Sequence, residues 1–234
     1  FMREQMTGCG KMIMGSDSHT RYGALGTMGI GEGGGELVKQ LLRQPYELRD
    51  PQVVGVHLTG KLPHGVGPHD VALSLAGALF ARGTVKNKVL EFFGDGISAL
   101  SMDLRMGIDA MTTELAALSS IWVTDERTEE FYRLHGRASD FTPLRPVYPA
   151  YYDGLVEVDL GAVRPMIALP FHPSNVCTIR EFNENAREII AGVEENGRKT
   201  MPKFSLQRHF TDNRFYLYQG AVAGCVGGLY ENIC

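Results

Sequence analysis

Val53-Val54-Gly55-Val56-His57-Leu58, then the loop Gly60-Lys-Leu-Pro-His-Gly-Val-Gly-Pro-His-Asp70, then Val71-Ala-Leu-Ser-Leu-Ala-Gly-Ala-Leu-Phe80 set the fold class. A short apolar run rich in β-branched residues and bounded by turn formers reads as a buried strand. The Leu and Ala positions after Asp70 recur at helical spacing, and the Asp70 carboxylate can accept from the free amides of a first turn. Lys88 to Phe93 reads as a second strand, completing the strand–helix–strand pattern of a parallel α/β unit. The periodic stretch Ile97 to Trp122 predicts mostly helix, and Thr124 or Asp125 opens a charged helix ending near Gly136.

Upstream, Met12-Ile13-Met14 predicts a short strand, followed by a polar turn, glycine-rich sequence, and a helix from Glu36 that stops before Pro45. Downstream, PLRPVYP within 142–150 is the best linker candidate. Leu155 to Leu160 alternates as a half-buried strand, Met166 to Pro170 follows, a helix is expected over 179–195, and Phe215 to Val222 is strand-like. The expected lobes are therefore 1–50, 51–145 and 146–234.

The chain has 234 residues, 23 basic and 27 acidic, for a formal charge of −4 without long single-sign runs. A surface that tracks nucleic acid phosphates needs clustered Lys and Arg, so no nucleic acid partner is expected. No stretch approaches the roughly 20 apolar residues of a membrane helix, so no membrane partner is expected either. The first residues lack the apolar core of a secretory signal, and the four cysteines, Cys9, Cys177, Cys225 and Cys234, are expected to be reduced thiols of a cytoplasmic protein.

Gly15-Ser16-Asp17-Ser18-His19-Thr20 sits at the mouth of the first strand, where α/β folds gather ligands. Asp and His two residues apart can set a proton-transfer group with Ser as hydrogen-bonding neighbour. On the motif alone, a polar turn whose Asp and Ser satisfy backbone amides is favoured. Ten of the 28 glycines lie between Gly8 and Gly35, and GIGEGG (29–34) fits a dinucleotide fingerprint. Glu32 inside it would repel a pyrophosphate, so close backbone packing explains these glycines better. His64 and His69 lie in a proline-rich loop and read as solvated. His57 reads as a hydrogen-bonded core residue, and His172 in LPFHPSN is either functional or a turn residue. Cys225, between small residues in AGCVGG, suits either an iron–sulfur ligand or a small buried hydrophobe.

Taken in order, five segments resemble the aconitase and isopropylmalate dehydratase superfamily: GSDSHTRYGALGTMGIGEGGGE, VVGVHLTGKLPHGVGPHDVALSLAG, NKVLEFFGDGISALSMDLRMGIDAMTTE, YYDGLVEVDLGAVRPMIALPFHPSN and VAGCVGGLYEN. The resemblance, nearest to the uncharacterised hydratase branch, implies a multi-lobe α/β fold of three-layer α/β/α architecture. It also implies a lyase, a hydratase or dehydratase that uses a [4Fe–4S] cluster on a small hydroxy di- or tricarboxylic acid. Carried onto this chain, it makes Asp17 and His19 catalytic and Ser18 a substrate contact. In the family the histidine pairs with a later carboxylate, which is matched to Asp109, where aconitase has Glu. Arg105 stands for a substrate-side Asn, and a guanidinium there would bind a carboxylate. Cys225 matches the first of three cluster cysteines, with Val226-Gly227 in place of Thr-Asn.

The family's C-x-x-C pair, its earlier histidine segments and its mobile C-terminal domain have no match here, so the chain is expected to be an internal fragment, inactive alone. Its expected partners are a small carboxylic acid and the remaining segments of the same enzyme. The altered positions keep two alternatives open: a cluster-free binding or regulatory relative, and a structural piece that assembles with a partner chain.

Overall fold

The computed structural model describes residues 1–206 and the backbone of the short antiparallel pair Phe210–Thr211 and Arg214–Phe215. In chain order come α1 (Met2–Gln5), β1 (Met12–Gly15), β2 (Met28–Gly31), α2 (Gly34–Leu41), β3 (Val53–Thr59) and α3 (Pro68–Leu79). They are followed by β4 (Val89–Phe93), α4 (Met102–Ala110), β5 (Ser119–Trp122) and α5 (Glu126–Leu134). Then come β6 (Gly154–Asp159), β7 (Met166–Ala168), β8 (Val176–Thr178) and α6 (Ile179–Thr200). The expected strand over 215–222 lies outside the described residues apart from Phe215, as do Cys225 and Cys234.

The central sheet has the order β5-β4-β3-β6 and is parallel throughout. Val54, Leu90 and Ser120 share one level across it, as do Val56, Phe92 and Trp122. These side chains therefore face one side, where Val71, Leu75 and Ala76 of α3 and Met106 and Ile108 of α4 complete a buried core with Leu25 and Tyr132. Phe92 and Trp122 stack 4.2 Å apart at its centre. The opposite side carries half-buried His57, Glu91, Phe93 and Ile121 and exposed Leu155. His57 stacks on Phe93 there, and Phe93 on Tyr152. His57 is thus a ring on an open sheet face rather than a core residue, because its parity puts it opposite Val56 and Leu58.

The proline-rich segment does not interrupt this sheet. Beyond it, β6 pairs with β3 over six positions, from Val54↔Gly154 to Thr59↔Asp159. Asp70 also ties the parts together: it is the third residue of α3, accepts from the Gly67 amide and, through its other oxygen, from the Met166 amide of β7. The periodic stretch 97–122 is not one helix. Helix α4 ends at Ala110, a 3-10 turn covers Met111–Leu115, Ala116 takes φ +57°, and β5 follows. A left-handed residue ends helical hydrogen bonding, and the buried run 119–122 then takes the edge of the sheet. Helix α6 is non-helical at Asn185, where two helices meet at a kink.

Candidate functional site

The parallel pair β1–β2 carries the Asp17-Ser18-His19 turn at the carboxyl end of β1. Asp17 builds the turn twice over. Its side chain accepts from the His19 amide at 2.7 Å, and its carbonyl accepts from the Thr20 amide at 3.0 Å and hydroxyl at 2.7 Å. Two glycines of β2 make room for it. A Cβ on Gly31 would run into the Asp17 carbonyl and the Ser18 backbone, and one on Gly29 into the Thr20 carbonyl. Close packing is therefore the role of these two, whereas Gly33, Gly34 and Gly35 face open space and start α2.

The turn points His19 at the 3-10 segment after α4. Its Nε2 lies 3.3 Å from Glu114 Oε1, while its Nδ1 lies 3.6 Å from Asp17 Oδ1 and 3.4 Å from Ser18 Oγ. The His19 side chain is 15% exposed, Glu114 26% and Asp17 76%, so the imidazole is the most sheltered of the three and lies between an open and a partly buried carboxylate. An imidazole with a carboxylate near each ring nitrogen is oriented by both and can pass a proton along that line.

Two expected site residues are placed elsewhere. Asp109 does not reach His19: it is buried at 1% exposure and accepts from Ser120 Oγ at 2.5 Å, Trp122 Nε1 at 2.9 Å and the Ala24 amide at 3.3 Å. Burial pushes its carboxyl pKa up, and the three donors and the Arg21 charge oppose that push. The carboxylate at His19 Nε2 is Glu114, five residues beyond Asp109. Helix α4 turns Asp109 into the core before the 3-10 turn swings Glu114 outward.

Arg105 is also a core residue rather than a substrate contact. Its side chain has no exposed area, its two terminal nitrogens bond the Asp125 carboxylate at 2.7 and 2.6 Å, and it donates to the Leu100 and Ile97 carbonyls. Burial opposes the charge on Asp125, but the Arg105 bonds and charge outweigh it, with help from the Thr128 and Arg127 amides, and lower its pKa. Nothing in the local sequence of Glu114 marks it.

His172 lies beside a cleft of about 560 Å³ between the β7–β8 hairpin and α6. Its Nδ1 accepts from the Ser174 amide at 3.1 Å and its ring stacks on Phe80 at 3.9 Å, which is how a turn histidine is held. Among the described residues no three His, Cys, Asp or Glu side chains are grouped as metal ligands. Half-buried Cys9 packs beside the Leu25 carbonyl, and Cys177 lies on β8. The described residues therefore do not supply a cluster's ligand set.

The family model of the aconitase family (aconitate hydratase) matches residues 1–234. A mitochondrial aconitate hydratase of Schizosaccharomyces pombe is 35% identical over 187 residues, 76% of this chain and 24% of that protein. A mitochondrial homocitrate dehydratase of Saccharomyces cerevisiae is 35% identical over 194 residues, 78% of this chain and 24% of that protein. A 3-isopropylmalate dehydratase large subunit of Clostridium kluyveri is 34% identical over 192 residues, 81% of this chain and 45% of that protein. The first two matches thus span about a quarter of those relatives' length. The cytoplasmic expectation is corrected by the same comparisons, since these two relatives and an aconitate hydratase of Gracilaria gracilis are mitochondrial enzymes. With five ordered motifs, a matching parallel α/β core and a family match along its whole length, this chain belongs to the aconitase family.

Proposed function

We propose that the chain is part of a hydro-lyase that adds or removes water on a small hydroxy di- or tricarboxylic acid. The observation that carries this reading is the contact of His19 with Glu114 at the rim of the Asp17-Ser18-His19 turn, in a chain of this family. Removing water from a hydroxy acid takes a proton from carbon and gives one to the departing hydroxide. In this reading His19 holds the proton for the hydroxide, Glu114 fixes the ring through Nε2, and Asp17 holds the backbone that aims it. Ser18, exposed beside Nδ1, meets the substrate. Asp109 and Arg105 keep the two segments folded and touch no substrate.

In the complete polypeptide the reading includes a [4Fe–4S] cluster, with Cys225 as one ligand and the others outside this chain, to supply Lewis acidity at the substrate hydroxyl and carboxylate. The remaining segments of the enzyme are the chain's expected partners.

The test is turnover of the complete polypeptide on a panel of hydroxy acids, followed through absorption of the unsaturated carboxylate formed. His19→Ala is expected to lower kcat about 100-fold or more, the scale of a lost general acid. Unchanged turnover in that variant would overturn the reading.

A further inference from the structure

We propose that Arg21 is a positioning residue that holds His19 and Glu114 in register. This rests on the reading above that those two side chains work as a pair. Arg21 is 5% exposed, and its guanidinium spans the two segments that carry them. One terminal nitrogen donates to the Thr20 carbonyl at 3.0 Å, next to His19 in the chain. The other donates to the Ala117 carbonyl at 2.9 Å, three residues beyond Glu114 and just past the left-handed Ala116.

The His19–Glu114 contact cannot supply this register by itself. At 3.3 Å and partly exposed, it is the kind of ion pair whose attraction is largely offset by solvent and side-chain entropy. A buried planar fork is better suited, because its donors are fixed relative to one another and two carbonyls bound by it cannot slide independently. A further tie, Ser119 Oγ to the Gly29 carbonyl at 2.6 Å, joins β2 to β5 but binds neither the Thr20 nor the Ala117 carbonyl.

Buried charge of this kind needs nearby carboxylates, and Asp109 and Glu32 are the ones whose charge acts on Arg21. Burial lowers the Arg21 pKa, and the nearby Asp109 carboxylate opposes that. Asp109 in turn fixes the chain after the turn through the Ala24 amide and the sheet through Ser120 and Trp122. A Cβ on Gly23 would meet the Ser120 carbonyl and Asp109 Oδ1, so this loop sits directly on that network. The carboxylate that does not touch His19 thereby supports the arginine that sets its distance to the one that does.

The test uses the whole 234-residue chain and needs no substrate. The side-chain N–H resonance of His19 facing Glu114 is assigned by nuclear magnetic resonance through its loss in Glu114→Ala. Arg21→Met is expected to abolish that resonance while amide dispersion and the urea midpoint show a folded chain. A second readout is the rate at which diethyl pyrocarbonate modifies His19. That rate is expected to rise in Arg21→Met, and to be unchanged when Arg21→Met is added to Glu114→Ala. A purely structural role would instead add to the effect of Glu114→Ala.

A folded Arg21→Met chain that keeps the resonance overturns the proposal. Should Arg21→Met fail to fold, Arg21→Lys decides, because it keeps the buried charge and loses the two-carbonyl fork. Loss of the resonance in Arg21→Lys supports the proposal, and its full retention overturns it. Absence of hydro-lyase turnover in the complete polypeptide would leave these readouts untouched, so the two readings fail separately.

Discussion

Arg105 and Asp125 show how far a side chain's identity can mislead about its task. A guanidinium four residues before Asp109 looks like a carboxylate binder, and it is one, but its carboxylate is Asp125 at the start of α5. Removing one partner of a buried pair strands the other charge, so Arg105→Met is expected to cost about 3 kcal/mol in urea unfolding. The pH dependence follows from the lowered Asp125 pKa. A carboxylate whose folded pKa lies below its unfolded value stabilises the fold above the unfolded pKa and loses that contribution as pH falls through the folded one. The difference between wild type and Arg105→Met should therefore be full above about pH 5 and shrink steadily below about pH 4. A difference that stays constant down to acid unfolding would rule out the ion pair as its source.

At the scale of elements, the turn rests on two glycines, and α3 and β7 on one carboxylate. Gly31 lets β2 run directly beneath the Asp17-Ser18 backbone, and a methyl group there must push the turn away from the strand. Gly31→Ala is expected to destabilise the chain by about 2 kcal/mol, as overpacking does, and to shift the His19 and Thr20 amide resonances more than those of α3. Asp70 caps α3 through the Gly67 amide and also holds β7 through Met166. Losing a helix-start acceptor costs roughly 1 kcal/mol. Asp70→Ala should exceed that, because a second amide 96 residues away loses its acceptor too, and urea denaturation measures the excess. The end of the predicted helix over 97–122 shows the opposite case. Buried Ser119, Ser120 and Trp122 close a stretch read as mostly helical from its overall periodicity, yet they complete a sheet, because a neighbouring strand offers their backbone its hydrogen bonds.

Over the whole molecule, the lobes proposed at 51–145 and 146–234 share one sheet, so a piece ending at 145 would leave β3 without β6 along six paired positions. Residues 51–145 alone are expected to aggregate, since that edge strand would carry unpaired backbone groups, whereas 51–206 should be better behaved in gel filtration. Equal solubility of the two pieces would make the proline-rich segment a true boundary. The sequence was sufficient wherever the cause is local. An apolar run followed by a glycine–proline loop and a periodic stretch gives β3 and α3, an Asp two residues before a His gives the turn, and five ordered motifs give the family. Which carboxylate meets His19 was not local. Asp109 and Glu114 are five residues apart, roughly 140° around a helix, so only one could face the turn while the other faced the core. The choice was made by the end of α4, the 3-10 turn after it and the buried Arg21, which ties the Thr20 carbonyl to that of Ala117, 96 residues beyond Arg21 in the chain. Tertiary structure decided it because a side chain's reach is set by the backbone that carries it, and that backbone is fixed by contacts from distant parts of the chain.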